Sequence, residues 1–221
     1  MNSLNLFIDG TEVQAAEGQS VLDAALAAGI YIPHLCSHPD LEAVGGCKLC
    51  IVEVDGEEKP VTACTTPVCE GMRVTTRSPQ LDRLRRVSME LMLAGHPHDC
   101  TGCRSFGSCE FQALMQYLSV THSRMHDVPR HTTRINRINP LIDRDMERCI
   151  QCGRCVRACR ELRGVKVLDF RKRGGETYIG TEQDLPLTDA DCRFCSACVE
   201  VCPTGALQDH RDVFRTDLPR D

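Results

Sequence analysis

Cysteine spacing constrains this chain more than any other feature of its sequence. The 221 residues include 16 cysteines, and all but one of them fall into four groups of four ligand-type residues. The groups are Cys36, Cys47, Cys50 and Cys64; His96, Cys100, Cys103 and Cys109; Cys149, Cys152, Cys155 and Cys159; and Cys192, Cys195, Cys198 and Cys202. Such a density indicates disulfides, zinc sites or iron–sulfur clusters.

The rest of the sequence argues against disulfides. The first residues lack a basic segment followed by a long apolar one, so we expect no cleaved signal. The most apolar window, residues 21–35, is too short and too polar to span a bilayer. We therefore expect a cytoplasmic protein, in whose reducing surroundings structural disulfides are rare and metal ligation is favoured. The formal charge of −5 argues against a nucleic-acid partner.

The last two groups share the spacing C-x2-C-x2-C-x3-C and lie 43 residues apart. Three cysteines at this spacing can wrap one face of a [4Fe–4S] cluster, whereas zinc more often draws on two separated pairs. The segment from Cys202 to Ala206 resembles bacterial two-cluster ferredoxins, although Arg160 replaces the usual proline after the other run. In those ferredoxins the fourth cysteine of each run ligates the other cluster. The resemblance implies two ligand sets: Cys149, Cys152, Cys155 and Cys202; and Cys192, Cys195, Cys198 and Cys159.

The first group, with spacing C-x10-C-x2-C-x13-C, resembles [2Fe–2S] ferredoxins, although the plant-type spacing begins with the shorter C-x4-C. This resemblance implies that Cys36, Cys47, Cys50 and Cys64 are the cluster ligands. We expect Gly45 and Gly46 to let backbone amides approach the cluster sulfurs, where N–H donors tune the reduction potential.

Strand and turn signals around this group predict a β-grasp domain. Residues 4–8 and 11–15 predict a hairpin that turns at Asp9-Gly10. A short helix is expected after Ser20, its N-cap, and before Gly29. Residues 51–54 predict another strand.

The second group has the spacing H-x3-C-x2-C-x5-C, which on its own suits a Cys3His zinc site as well as a cluster. Because it lies between a [2Fe–2S] pattern and two [4Fe–4S] patterns, we favour a [4Fe–4S] cluster held by His96, Cys100, Cys103 and Cys109. One imidazole in place of a thiolate should raise the cluster's potential, as histidine ligation does in Rieske centres. A helix is expected before it, from Pro79 to Gly95.

Several residues are interpreted as structural. The apolar stripe of the expected helix, Leu81, Leu84, Val87 and Leu91, is assigned to a core, and Arg83, Arg85 and Arg86 to a solvated face. Cys69 is expected to be a small buried side chain. No metal role is assigned to His34, His38, His122, His126 or His131.

No Rossmann, P-loop or nucleophile-elbow motif is present, so we expect no nucleotide, flavin or catalytic site in this chain. In their order, the four groups resemble the iron–sulfur region of [FeFe] hydrogenases and of the large complex I subunit. They also resemble the diaphorase-type subunit of NAD(P)-linked hydrogenases, which is the relative expected to end where this chain ends. The similarity covers residues 5–207, and the His96 group makes it specific.

The resemblance implies an electron-transfer subunit with one [2Fe–2S] and three [4Fe–4S] clusters. It would belong to a hetero-oligomeric NAD(P)-linked oxidoreductase with a flavoprotein subunit that holds FMN and binds NAD(P). The further partner would be a hydrogenase, a formate dehydrogenase or ferredoxin, with electron bifurcation as one form. Two alternatives remain: a free-standing polyferredoxin and a zinc-stabilised scaffold.

The expected fold class is α+β with several modules. Residues 1–78 form a β-grasp [2Fe–2S] domain, and residues 79–135 form a helical His/Cys3 domain with a connector. Residues 136–208 form a two-[4Fe–4S] ferredoxin-like domain, and residues 209–221 form a charged tail.

Overall fold

The computed structural model describes residues 3–125, 139 and 141–209. The chain divides into two compact units, one made of Met1–Leu91 and Leu114–Ser123 and the other of Met92–Ala113 and Arg124–Asp221. Most of the expected connector, including His126 and His131, and the charged tail after Asp209 lie outside the described residues. The four-segment division expected from the sequence therefore remains a prediction.

The first unit is built on a mixed five-stranded sheet. Its strands are β1 (Ser3–Ile8), β2 (Thr11–Ala16), β3 (Ile51–Val54), β4 (Val61–Thr62) and β5 (Arg73–Thr75). Their order across the sheet is β2-β1-β5-β3-β4; β1 and β5 are parallel, and the other neighbours are antiparallel. Helix α1 (Val21–Ala27) contributes Val21, Leu22, Ala24 and Ala25 to the core that it shares with the sheet.

Local sequence signals explain this part of the fold. The hairpin of β1 and β2 turns at Asp9 and Gly10 in register, with Ile8 opposite Thr11, as expected. Ser20 caps α1, because its hydroxyl accepts a hydrogen bond from the Asp23 N–H at 3.1 Å. Gly29 follows the helix with φ +76°, a conformation that glycine adopts without steric cost.

Helix α2 (Pro79–Ala94) has the predicted extent but a different buried face. Leu84 and Leu91 of the predicted stripe are 41% and 57% exposed, so assigning them to the core was wrong. Leu81 is buried as predicted, and Arg85 and Met89 follow it at intervals of four residues on the same helix face, with Glu90 also buried. Hydropathy missed this face because an arginine lies at its centre.

The second unit contains short elements. They are the residues of helix α3 (Glu110–Tyr117) up to Ala113, strand β6 (Ile142–Arg144), helix α4 (Arg154–Arg157), strands β7 (Asp169–Arg171) and β8 (Tyr178–Gly180), helix α5 (Ala197–Glu200) and strand β9 (Leu207–Asp209). A π-helical turn, Ala158–Leu162, continues α4. Antiparallel pairs form between β6 and β9 and between β7 and β8. Across the described residues, no helix is long and apolar enough to cross a membrane.

Candidate metal centres

Three cysteines of the first group lie in the loop before β3, and Cys64 follows β4. Cys36, Cys50 and Cys64 are buried, and Cys47 is partly buried. The backbone N–H of Cys36 donates to Sγ of Cys47, and the N–H of Cys47 donates to Sγ of Cys36, each at 3.4 Å. Reciprocal N–H donors of this kind stabilise thiolates, the form of cysteine that binds metal.

These four cysteines associate as two pairs. The pKa of Cys47 is raised by its hydrogen bond with Cys36 and by burial. The pKa of Cys50 is raised by its hydrogen bond with Cys64, whose own pKa is lowered mainly by that same bond. Two thiol pairs suit a cluster with two iron atoms, each bound by two protein sulfurs. Iron binding would displace the protons that each pair shares.

Glycine brings a further donor to this loop. Gly45 has φ +59°, and its N–H donates to the sulfur of Cys64, as the glycine pair led us to expect. A Cβ atom at this position would lie 3.0 Å from Oγ1 of Thr62. The backbone conformation and the close approach both favour glycine here.

His96 of the second group has the tautomer of a metal ligand. Its ring is 7% exposed, and Nδ1 lies 2.8 Å from the carbonyl oxygen of Pro97. A carbonyl only accepts hydrogen bonds, so Nδ1 carries the proton and the buried Nε2 has the lone pair. Metal-bound histidines commonly donate their other ring N–H to a backbone carbonyl in this way. The Phe111 ring, 5.1 Å away between centroids, packs beside the imidazole.

The three cysteines of this group lie in turns between α2 and α3. Cys100, Cys103 and Cys109 are partly buried. The pKa of Cys109 is raised by burial and, to a smaller extent, by Cys103 and Cys100, which lie near enough to interact electrostatically. Sγ of Cys109 also accepts the N–H of Gln112 at 3.4 Å. The structure therefore brings the three thiols of the predicted set together.

A cavity in the second unit is lined by four cysteines from both of the repeated runs. They are Cys149, Cys152, Cys155 and Cys202, the set that the ferredoxin resemblance implies. Apolar side chains, including Ile150, Ile179 and Leu207, complete its lining. Burial raises the pKa of Cys149 to about 12 and that of Cys155 well above its ordinary value, so without a metal these two thiols stay protonated. Four thiols around one cavity match the ligand number of a [4Fe–4S] cluster, and bound iron would stabilise the thiolates.

The other four cysteines of the two repeated runs, Cys159, Cys192, Cys195 and Cys198, also lie near one another. The pKa of Cys198 is raised to about 12 by burial first and then by Cys192, Cys159 and Cys195. Sγ of Cys159 accepts the N–H of Val167 at 3.3 Å. The second implied set is thus brought together as well, with Cys195 the exposed member.

The two repeated runs have the same backbone pattern. In each run, the residue before the second cysteine has a positive φ, 56° at Gln151 and 47° at Phe194. The residue after that cysteine also does, 72° at Gly153 and 56° at Ser196. The N–H groups of Gln151 and Phe194 each donate to the sulfur of the first cysteine of their run at 3.4 Å. The two runs, which have the same cysteine spacing, therefore share the same loop conformation.

The His96 group and the Cys202 run are neighbours within the second unit. Sγ of Cys109 lies 3.4 Å from the carbonyl oxygen of Pro203, which follows Cys202 directly. A Cβ atom on Gly205 would lie 3.1 Å from Sγ of Cys103. A cavity of about 230 Å³ is lined by both Cys109 and Cys202. Two of the predicted cluster sites are therefore in direct contact through this short segment.

The spacing of these donors also bears on zinc. A zinc site needs four ligand atoms about 2.0 to 2.3 Å from one ion. Within residues 3–125, 139 and 141–209, no three histidine, cysteine, aspartate or glutamate side chains converge on a single-ion position. In a cluster the ligands bind different irons, so they stand farther apart than the ligands of a single ion.

Sequence reasoning missed the buried arginines of the second unit. Arg144, Arg154 and Arg157 are each less than 8% exposed. Arg154, between two cysteines of the first run, makes a two-pronged ion pair with Glu110 at 2.7 and 2.9 Å. Burial lowers the pKa of Arg144, and the neighbouring Cys155 opposes that shift. The only sequence signal was an arginine within or beside a ligand run. Its positive charge there offsets the negative charge of the thiolates.

Two residues set aside as structural are placed differently from expectation. Arg85, assigned to a solvated face, is 2% exposed, because backbone carbonyls provide its hydrogen bonds inside the first unit. Cys69, expected to be a buried hydrophobe, is exposed. It follows Val68, which takes the buried position in the core.

Three protein families match consecutive parts of the chain. Residues 1–79 match a 2Fe-2S iron-sulfur cluster binding domain, and residues 85–124 match the NADH-ubiquinone oxidoreductase-G iron-sulfur binding region. Residues 139–208 match the ferredoxin-like domain of NADH-quinone oxidoreductase subunit 3. The matches confirm that both 2Fe-2S and 4Fe-4S binding domains are present.

Curated relatives resemble the chain along nearly its whole length. The NADPH-Fe(3+) oxidoreductase subunit alpha of Geobacter sulfurreducens is 40% identical over 92% of this chain, and the NADP-reducing hydrogenase subunit HndD of Solidesulfovibrio fructosivorans is 36% identical over 97%. The NADH-ubiquinone oxidoreductase 75 kDa subunit of Reclinomonas americana is 35% identical over 92%. The chain spans 24%, 37% and 29% of these three relatives, respectively.

One solved structure and this chain match each other over nearly their full lengths. It is a crystal structure of NAD+-reducing [NiFe]-hydrogenase in the H2-reduced state, with a TM-score of 0.82 and 34% identity. The match covers 99% of this chain and 91% of that one. With the order of the four ligand groups, it confirms the resemblance drawn from the sequence. The chain therefore belongs to the family of iron–sulfur electron-transfer subunits found in NAD(P)-linked hydrogenases and complex I-type NADH-quinone oxidoreductases.

Proposed function

We propose that this chain carries one [2Fe–2S] and three [4Fe–4S] clusters and relays single electrons between a flavoprotein subunit and a further redox partner. In this proposal the flavoprotein holds FMN and binds NAD(H) or NADP(H). The chain has no substrate-transforming site of its own and works in a cytoplasmic hetero-oligomeric complex. Its N-terminal module is the β-grasp domain of a [2Fe–2S] ferredoxin.

The observation that carries the proposal is the proximity of the donor sets in the second unit. Cys109 and Cys202 line one cavity, and the carbonyl of Pro203 contacts the Cys109 sulfur. Cys155 interacts electrostatically with Cys198 of the other run. Each of the three donor sets in this unit therefore has another set as a close neighbour. A relay needs such closeness, and a set of separate structural metal sites does not.

Bound clusters would supply reversible one-electron chemistry, and the protein's residues set how easily each accepts an electron. Backbone N–H groups donate to the sulfurs of Cys47, Cys109 and Cys159, which favours the reduced form. Apolar walls, such as those around the Cys149 set, exclude water. His96 carries less negative charge than a thiolate and raises the potential of its site.

The names of the relatives support a nicotinamide-linked complex. NADPH, NADP, NADH and NAD+ each occur in the name of a protein similar to this chain. We propose that the nicotinamide pocket lies in the flavoprotein partner. The third component in this proposal is a hydrogenase, a formate dehydrogenase or a ferredoxin, and electron bifurcation is one form that the reaction takes.

The test is anaerobic purification of the tagged protein from its native host, with protein identification, iron, sulfide, zinc and flavin analysis. We expect a brown complex that contains an FMN-binding partner and is reduced by NADH or NADPH. The chain produced alone should contain about 14 iron atoms, the number in one [2Fe–2S] and three [4Fe–4S] clusters. The chain alone should be reduced by dithionite but not by NADH or NADPH.

Other outcomes would replace the proposal. A brown monomer that is active without a flavoprotein would establish the free polyferredoxin and remove the nicotinamide link. A colourless protein containing zinc would establish the scaffold. The identity of any third subunit would decide among hydrogenase, formate dehydrogenase and ferredoxin-linked chemistry.

A further inference from the structure

Arg85 is a buried cation in the first unit. Its side chain is 2% exposed on the inner face of α2. Nε donates to the carbonyl oxygen of Leu49 at 3.0 Å, and Nη2 donates to the carbonyl oxygen of Ile51 at 2.6 Å. These two residues stand on either side of Cys50, so one guanidinium holds the backbone on both sides of a predicted ligand.

Arginine suits this position because its donors are arranged in a rigid plane. The guanidinium can direct two N–H groups to two separate carbonyls at once, whereas an ammonium is a compact point charge. An apolar residue of similar length would leave the carbonyls of Leu49 and Ile51 without these donors. Unsatisfied buried carbonyls are costly, so the arrangement secures the loop that presents Cys50.

The charge of Arg85 is only weakly balanced by carboxylates. Asp82 lies 3.8 Å from Nη1, but its side chain is 64% exposed and so is well solvated. Burial lowers the pKa of Arg85, while Asp82, Tyr117 and Cys50 oppose that shift and Arg77 adds to it. Arginine nonetheless keeps its proton in proteins, so a full positive charge lies beside the Cys50 loop.

A negatively charged group near Cys50 would balance this cation. A [2Fe–2S] cluster with four thiolates carries a net negative charge and gains one more on reduction. A buried positive charge interacts more strongly with the reduced form than with the oxidised form, because the medium there screens charge poorly. The cation therefore favours the uptake of an electron.

We propose that Arg85 is a positioning and tuning residue of the [2Fe–2S] site: it holds the Cys50 loop through two carbonyls, and its buried charge raises the cluster's reduction potential. The inference rests on the proposed assignment of Cys36, Cys47, Cys50 and Cys64 to that cluster. It adds to the assignment a residue outside the cysteine motif, 35 positions after Cys50 in the sequence.

The test is an EPR-monitored redox titration of the full chain, made anaerobically with dithionite and mediator dyes. Arg85→Gln should lower the [2Fe–2S] potential, with about a tenfold loss in the reduction equilibrium, which is 59 mV for one electron. Arg85→Lys keeps the charge but cannot direct N–H groups to both carbonyls as the planar guanidinium does, so its potential should fall less than that of Arg85→Gln. Arg83→Gln, on the exposed side of α2, is the matched control and should not shift the potential.

Each outcome decides the proposal. An unshifted potential in Arg85→Gln, or an equally lowered potential in Arg85→Lys, would overturn it. Loss of the signal in both variants would assign Arg85 to folding alone and also overturn it. Loss in Arg85→Gln with rescue by Arg85→Lys at a near-normal potential would support it. A wild-type chain without any [2Fe–2S] signal would instead refute the ligand assignment, independently of Arg85.

Discussion

In the first unit, the cluster of fifteen buried residues around the sheet and α1 contains thirteen aliphatic side chains and two cysteines, Cys50 and Cys64. In the second, the corresponding cluster of seven buried residues includes Cys155, and Cys149, Cys159, Cys192, Cys198 and Cys202 pack against it. The first unit also has a five-stranded sheet, whereas the second has two two-stranded pairs. Two cysteines belong to the core cluster of the first unit, whereas in the second unit one cysteine belongs to the cluster and five more pack against it.

This difference indicates where bound metal contributes to folding. A sheet and helix that bury aliphatic surface can be stable without a cofactor. A region with a small aliphatic core, against which thiols and short elements pack, gains most of its stability when the ligands are bound, because binding energy is then folding energy. We expect the two units to respond differently to the loss of iron.

The largest effect should follow removal of all clusters. Chelation under anaerobic conditions should leave amide protection in β1, β2 and α1 and abolish it in β6, β9 and α4. The second unit would lose its local unfolding free energy, about 5 kcal/mol or more. Hydrogen exchange with mass spectrometry measures both units in one sample. Equal loss of protection in the two units would show that both depend on bound iron to the same extent, contrary to this prediction.

The next effect concerns one ligand in the second unit. Cys155→Ala should remove one [4Fe–4S] cluster, a loss of about four iron atoms per chain. It should also lower the thermal stability of that unit, because Cys155 is both a predicted ligand and a buried core residue. The exposed Cys69→Ala is the matched control and should retain all the iron. Iron analysis and calorimetry check the pair; full iron in Cys155→Ala would exclude it as a ligand.

A change of ligand type should alter a potential without altering the fold. His96→Cys replaces a neutral ligand by a thiolate and should lower the potential of that [4Fe–4S] cluster by about 100 mV. The change keeps four ligands, so iron content should stay the same. His122→Ala, at an exposed position, should leave all potentials unchanged. Redox titration by EPR measures the shift, and a rise in potential would contradict His96 ligation.

The smallest effect should be confined to the first unit. Ser20→Ala removes the cap of α1 and should cost about 1 kcal/mol of stability there. The iron content and potentials of the [4Fe–4S] clusters should not change. Chemical denaturation followed by hydrogen exchange in each unit would show this. An equal destabilisation of the second unit would mean that the two units do not unfold independently.

Much of the local structure followed from the sequence because the signals are short-range. The Asp9-Gly10 turn, the Ser20 cap and the extent of α2 each depend on neighbouring residues, and all three were confirmed. The cysteine spacing likewise predicted four donor groups. Loops such as those around Gln151 and Phe194 are formed by consecutive residues, so their spacing is sufficient to predict their shared geometry.

Burial and contacts that depend on residues far apart in the sequence are visible only in the folded structure. Arg85 is buried because carbonyls 34 and 36 positions away accept its hydrogen bonds, and nothing in the helix pattern indicates those acceptors. Cys109 contacts Pro203 across 94 positions. The amino-acid sequence indicates which residues can bind iron, since ligand chemistry belongs to each residue and its near neighbours. Folding decided which donor sets adjoin and which charges face them, since burial and contact are properties of the packed chain.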